Sequence, residues 1–180
     1  IIDLITKRDS SSFSLTTKSK IDPTEDSEEV IILKDINSGI IIEDNTYEFK
    51  ETFKTPVLSN KQLGLSNDKL SEVKRNFDIH NKNKQREISF GIFKNICAML
   101  NSNSGYVIVG ISDRNELVGL EEDYRLLSNF DGFQKHFDNL WRDLLIEPER
   151  YRPYVILKRI VYQGKDFAFI KVEMPRDHVE

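Results

Sequence analysis

The stretch that decides the fold is Ile96-Cys97-Ala98-Met99-Leu100-Asn101-Ser102-Asn103-Ser104-Gly105-Tyr106-Val107-Ile108-Val109-Gly110-Ile111-Ser112-Asp113. Upstream of it, Ile88, Ile92, Phe93, Ile96, Cys97 and Leu100 recur at steps of four and one, which makes a single apolar stripe and predicts a helix from about Gln85 to Leu100. The run Asn101 to Gly105 stops that helix with turn formers and a glycine able to take a positive φ. Tyr106 to Ile111 is then a nearly continuous apolar strand, the pattern of a strand buried on both faces in the middle of a sheet.

Working outward, a second helix is marked by Phe130, Phe133, Phe137, Leu140, Trp141 and Leu144, with Asn129 or Asp131 able to cap it. The aromatic stripe is core material. Tyr154–Tyr162 and Phe167–Met174 are two strands joined by Gln163-Gly164-Lys165-Asp166, a hairpin. Ser112 to Glu116 is a tight turn with Leu117-Val118-Gly119-Leu120 returning from it. Toward the N-terminus, Tyr47 to Phe53 alternates aromatic with charged residues as a half-buried strand, so Glu48, Lys50 and Thr52 share a polar face. Val30 to Leu33 and Ile40 to Ile42 are β-branched runs either side of Asn37-Ser38-Gly39, which predicts a short hairpin or two edge strands. Residues 54–67 read as a loop, and a short helix fits within 68–84.

The fold class expected from this order is α+β, an α/β sandwich with a mixed sheet, two main helices and a C-terminal β-hairpin. A chain of 180 residues needs one core only, and the predicted organisation is a polar, acidic and flexible lead over 1–29, a domain over 30–176 and a tail over 177–180. The tail ends abruptly, as a fragment of something longer would.

Charge and cysteine content narrow the function. The net charge of −4 argues against a general nucleic-acid coat, but residues 50–94 carry an excess of +5, against −8 over residues 22–48, so the middle of the chain can attract phosphate. Cys97 is the one cysteine, which excludes an internal disulfide or a cysteine-rich zinc site and suits a reducing, intracellular and cytoplasmic location. No apolar run reaches the roughly 18 residues of a membrane span. There is no phosphate-binding Gly-x-x-x-x-Gly-Lys-Ser/Thr loop and no Gly-x-Ser-x-Gly elbow, and His80, His136 and His178 lack metal-ligand spacing. Cys97 lies on an apolar helix stripe, a poor place for a nucleophile.

The chemistry that remains is carboxylate chemistry. Glu43, Glu48 and Asp113, with Lys50 and Lys94, are the inventory of a metal-dependent phosphodiesterase: Asp and Glu oxygens suit Mg²⁺ or Mn²⁺, and a lysine orients the phosphate. Glu43 and Glu48 would face opposite sides of one extended strand, so Glu43 has to sit in the preceding loop and turn inward. The plain alternative is that Asp113 is a turn residue bonding its own backbone and the glutamates are solvated.

The strand Tyr47-Glu48-Phe49-Lys50, the segment Lys94-Asn95-Ile96-Cys97-Ala98-Met99-Leu100-Asn101, the strand Gly105 to Asp113 and Leu117-Val118-Gly119-Leu120-Glu121-Glu122-Asp123-Tyr124 together resemble the Schlafen or Alba-like (AlbA_2-type) nucleic-acid-binding domain family, particularly its bacterial branch. The similarity spans Ile40 to Pro175. It implies a single Schlafen-like lobe, similar to the nuclease lobe with which Schlafen ribonucleases cut transfer and ribosomal RNA using three acids and Mn²⁺ or Mg²⁺. Position by position, the three acids match Glu43, Glu48 and Asp113 as metal ligands, and Lys50 matches the motif lysine. Two departures are Ser104-Gly105 in place of a double glycine and Ser112-Asp113 in place of an Asp-Asp pair; the family's zinc cysteines are absent, as they are in the bacterial branch.

The expectation is a metal-dependent endoribonuclease domain acting on structured, tRNA-like RNA, with Lys54, Lys61, Lys82, Lys84, Arg86 and Lys94 contacting the RNA backbone. Because related enzymes close two lobes around RNA, a homodimer or a partner bearing a second lobe is expected, with DNA as a possible further ligand. The alternatives are a non-catalytic DNA- or RNA-binding or regulatory module of a larger protein, and a scaffold domain that only pairs with a catalytic partner.

Overall fold

The computed structural model describes residues 27–56 and 82–175. In chain order the elements are α1 (Glu28–Asn37), β1 (Tyr47–Lys50), α2 (Lys82–Asn101), β2 (Gly105–Val109), α3 (Glu121–Leu127), α4 (Phe130–Leu144), α5 (Pro148–Tyr151), a 3₁₀ turn (Arg152–Tyr154), β3 (Val155–Tyr162) and β4 (Lys165–Val172). These make an α+β fold. The sheet order is β1-β2-β4-β3, with β1 parallel to β2 and the other pairs antiparallel.

The sheet is the middle of three layers. Val107 and Val109 of β2 and Ala168, Ile170 and Val172 of β4 point to the side covered by α2, α3 and α4, where Phe53, Phe93, Phe133, Phe137 and Trp141 form the larger core. Tyr106 and Ile108 of β2 and Phe167 and Phe169 of β4 point the other way, onto Val30, Ile32, Leu33 and Ile36 of α1. β2 is buried at all its positions, because it is an inner strand with a helical layer on each face. Within the larger core Phe53 is the hub, with ring centroids 4.6 Å from Phe133 and 6.1 Å from Phe137. Such pairs add about 1 kcal/mol each beyond the area they bury.

α2, α4, β2 and the C-terminal hairpin lie where the sequence pattern puts them. Of the two candidate caps, Asn129 is the one used, its side chain accepting from Gly132 N–H at 2.9 Å. The hairpin turn is tighter than expected: Gln163 and Gly164 alone turn the chain, both with positive φ, and Lys165 and Asp166 already belong to β4.

The N-terminal expectation is corrected. Val30 to Leu33 is helix, not strand, and Ile40 to Ile42 forms no strand. Ser27 caps α1 by accepting from Val30 N–H at 3.3 Å, with Glu28 and Glu29 in the first turn and Lys34 in the last, the charge order that a helix dipole favours. Val30, Leu33 and Ile36 are buried at helical steps while Ile31 faces water, so packing on the sheet overrides the β-propensity of the run. Asn37-Ser38-Gly39 does turn the chain, but as a helix stop: Gly39 has φ +74°, and Ile40 N–H returns to Asp35 O at 2.8 Å. The expected return of Leu117 to Leu120 reduces to one bridge between Ile111 and Leu117. α3 and α5 have no counterpart in the sequence reading. The helix expected within 68–84 and the loop expected over 54–67 lie largely outside the described residues; 54–56 carry neither helix nor strand, and Lys82 to Lys84 are the first turn of α2.

Candidate functional site

β1 is an edge strand of four residues, and its alternation sends Phe49 into the core against α1 while Glu48 and Lys50 face the α2 side. The loop before it is folded by Asp44, whose Oδ1 accepts from Thr46 N–H at 2.7 Å and Tyr47 N–H at 2.9 Å. That turn sends Glu43 back along the free edge of β1, where its Oε1 accepts from Phe49 N–H at 2.8 Å. An edge strand offers such unpaired N–H groups, and here a carboxylate covers one of them.

Glu43 and Glu48 thereby reach the same ammonium. Lys50 Nζ lies 2.5 Å from Glu48 Oε1 and 3.8 Å from Glu43 Oε1, and it donates to Phe49 O at 2.9 Å. Asn95 of α2 donates from Nδ2 to Glu48 Oε1 at 2.6 Å, tying the helix to the strand. Glu48 and Asn95 also line a cavity of about 350 Å³ with Asp44, Asn45, Met99 and Ser102.

Asp113 stands elsewhere. Glu48 is in register with Val107 and Lys50 with Val109, whereas Asp113 lies beyond the end of β2 in an exposed turn. There Ser112 Oγ, not the Asp113 carboxylate, accepts the backbone N–H groups of Arg114 and Glu116. The acid that feels Asp113 is Glu51, whose carboxyl is pushed up first by burial and then by Asp113, Glu122 and Glu116. Among the described residues no group of three or more His, Cys, Asp or Glu side chains is gathered closely enough to hold a metal ion. A divalent cation therefore fits this site in part: two hard oxygen donors, Glu43 and Glu48, already converge on a positive charge, and the third acid is not with them.

The basic residues divide. Lys54, Lys82 and Arg86 line a second cavity, of about 660 Å³, between α2 and α4. Lys84 is paired with Glu87 at 3.3 Å. Lys94 is exposed, since the helical register turns its neighbour Asn95 toward β1 instead. Lys61 lies outside the described residues.

Two residues that the sequence did not single out shape this region. Asp123 is fully buried, and its carboxylate accepts the backbone N–H groups of Phe53, Lys54 and Thr55 at 2.6, 2.9 and 3.0 Å, fixing the chain as it leaves β1. His136, at a helical step from the aromatic stripe of α4, meets Phe53 edge-on at 5.7 Å and lines the larger cavity. Burial, and then the charge of Lys54, lowers its pKa to about 4, so the ring is neutral at physiological pH. Nothing in the sequence separates Asp123 from the acids beside it; the one available signal for His136 was its place on the stripe.

Among the described residues no helix is long and apolar enough to cross a membrane. No curated protein and no solved structure matches this chain. A family model described as Schlafen, AlbA_2 matches residues 67–179, which takes in α2 through β4 and Asp113 but begins after Glu43, Glu48 and Lys50. With well over half its length matched, the chain belongs to the Schlafen AlbA_2 family, a family of nucleic-acid-binding and nuclease-like domains.

Proposed function

We propose that this domain is a metal-dependent endoribonuclease acting on structured, tRNA-like RNA, with its chemistry at Glu43, Glu48 and Lys50. The observation that carries the reading is the convergence of two carboxylates from the start of β1 on one lysine, beside a cavity, in a protein of the Schlafen AlbA_2 family. Glu43 and Glu48 are the oxygen donors for Mn²⁺ or Mg²⁺, and Asn95 holds Glu48 in place. Bound there, the ion would supply activated water and neutralise charge on the phosphate. Lys50, released from the carboxylates, meets the phosphate as a point charge. Asp113 is the third acid of the reading. The phosphate backbone is met by Lys54, Lys82 and Arg86, with Lys61, Lys84 and Lys94 as further contacts, so recognition rests on shape and charge and extends more weakly to DNA. The working unit is a homodimer or a pairing with a second lobe, in the cytoplasm.

One observation favours a second reading, a nucleic-acid-binding or regulatory module without catalysis. The Lys50 ammonium lies between the two carboxylates, as it would in a structural strut.

Incubation of total tRNA and a matched DNA duplex with the protein, in Mn²⁺, Mg²⁺ or EDTA, separates the two. Discrete RNA fragments that require metal and vanish with Glu48→Gln support the nuclease. Intact RNA in every lane, with binding retained, sinks it and leaves the binding module. Asp113→Asn checks the third acid on its own: cleavage undiminished by it would confine the site to β1 and the loop before it.

A further inference from the structure

The cavity between α2 and α4 is lined by two facing ladders. α2 contributes Lys82, Arg86 and Phe90, each four residues after the last, and α4 contributes His136, Leu140 and Leu144 at the same interval. One wall is cationic and ends in an aromatic ring; the other is apolar with an imidazole at its head. Lys54 is a third cation in the lining, against Glu87 and Asp143. Phe90 is 52% exposed, although it is a large aromatic side chain on a helix whose buried residues include Ile92, Phe93 and Ile96.

This pairing of chemistries describes a ligand with a flat apolar body and a phosphate. We propose that the groove takes a single unpaired nucleotide, its base against Phe90, Leu140 and His136 and its phosphate on Lys82, Arg86 and Lys54. Base–aromatic stacking tolerates any base, while guanidinium and ammonium groups hold the phosphate oxygens. The neutral His136 ring offers a face without adding a further charge. Burial holds the Lys54 ammonium below its ordinary value, so a phosphate beside it would restore what desolvation removes. The groove is formed by the first half of α2, whereas Asn95 and the smaller cavity belong to the second half, so occupancy here does not depend on cleavage at Glu48. It shares with the reading above only the assignment of Lys54, Lys82 and Arg86 to phosphate.

The chain has three histidines, so the imidazole NMR signals of His136, assigned through His136→Gln, report on the groove directly. Adenosine monophosphate is expected to shift them, with adenosine and inorganic phosphate each binding more weakly. Phe90→Ala and the pair Lys82→Ala with Arg86→Ala should each weaken the response by about tenfold, at unchanged melting temperature. Two further arms identify the source. Single-stranded oligoadenylate that binds better than a blunt RNA duplex supports a nucleotide within a strand; binding of the monophosphate alone supports a free one. Three outcomes would overturn the proposal: an unmoved His136 with every nucleotide probe, inorganic phosphate matching the monophosphate, or polyglutamate matching it. Cleavage of tRNA is a separate readout, so either idea can fail alone.

Discussion

The backbone N–H of Phe53 donates to Asp123 Oδ2 at 2.6 Å, joining the exit of β1 to the first turn of α3 across 70 residues of sequence. Asp123 Oδ1 takes Lys54 and Thr55 in the same way. Truncating Asp123 to Ala would leave three N–H groups without an acceptor around a buried site, at an expected cost of about 3 kcal/mol. Asp123→Asn keeps one acceptor oxygen and should cost less. Urea unfolding measures both, with the shift read in the midpoint at a constant slope. Equal stability of wild type and Asp123→Ala would show that these bonds contribute nothing net.

The low pKa of His136 has a definite sign. The folded protein holds the ring near 4 where the unfolded chain protonates near 6.5, so acid favours unfolding. His136 therefore contributes fully above pH 6.5 and loses its contribution as the pH falls toward 4. The groups around it in the groove are Lys54, Lys82 and Arg86, with Glu87 and Asp143 on the same walls. Melting temperatures of wild type and His136→Gln should converge across that window as the pH falls; parallel curves would mean that the ring titrates normally.

Gly132 sits where α4 begins against the end of α3, and a Cβ there would lie 1.8 Å from Leu127 O. No rotamer relieves a clash with backbone. Gly132→Ala should force the two helices apart and cost about 3 kcal/mol, at the upper end of ordinary overpacking. Gly164, which has positive φ but open space around it, should cost less on the same substitution. Thermal denaturation of the two variants ranks them.

Lys50 and Glu48 are both partly exposed, so their ion pair is screened and its value modest. Lys50→Met and Glu48→Gln are expected to couple by about 1 kcal/mol in a double-mutant cycle. Lys94→Ala, exposed on α2, should change stability by no more than about 0.5 kcal/mol. Additivity of the first pair would show that the ammonium and the carboxylate do not interact in solution.

What the sequence disclosed and what it hid follow one physical line. The stripe Ile88 to Leu100, the aromatic stripe of α4 and the Gln163-Gly164 turn carry their signal within a few residues, and each yields the observed element. α1 misleads because Val30-Ile31-Ile32-Leu33 has strand propensity, while its helix is held by Ser27 and by the sheet it packs on, which a local window does not contain. At the candidate site, the shared face of Glu48 and Lys50 and the inward turn of Glu43 follow from the period of a strand and are seen. Asn95 was invisible because its meaning comes from the register of α2 against β1. The grouping of Asp113 with the glutamates rests on residue type and on resemblance, neither of which contains the pairing of β1 with β2; in the fold Asp113 stands in the turn beyond β2, where its charge is felt by Glu51.

The parallel pairing of β1 with β2 also sets an order of assembly. The β3–β4 hairpin closes through a two-residue turn and can register itself early, whereas β1 must wait for the long crossover through α2 before it finds β2. Four residues long and bonded to a single neighbouring strand, β1 is held largely from outside the sheet, by Asn95 on Glu48, Glu43 on the Phe49 N–H and Asp123 on the three N–H groups at its exit. Glu48 and Lys50 thus ride on a strand whose place is set largely by side chains of α2 and α3, so a change at Asn95 or Asp123 would reach their geometry without touching the inner strands of the sheet.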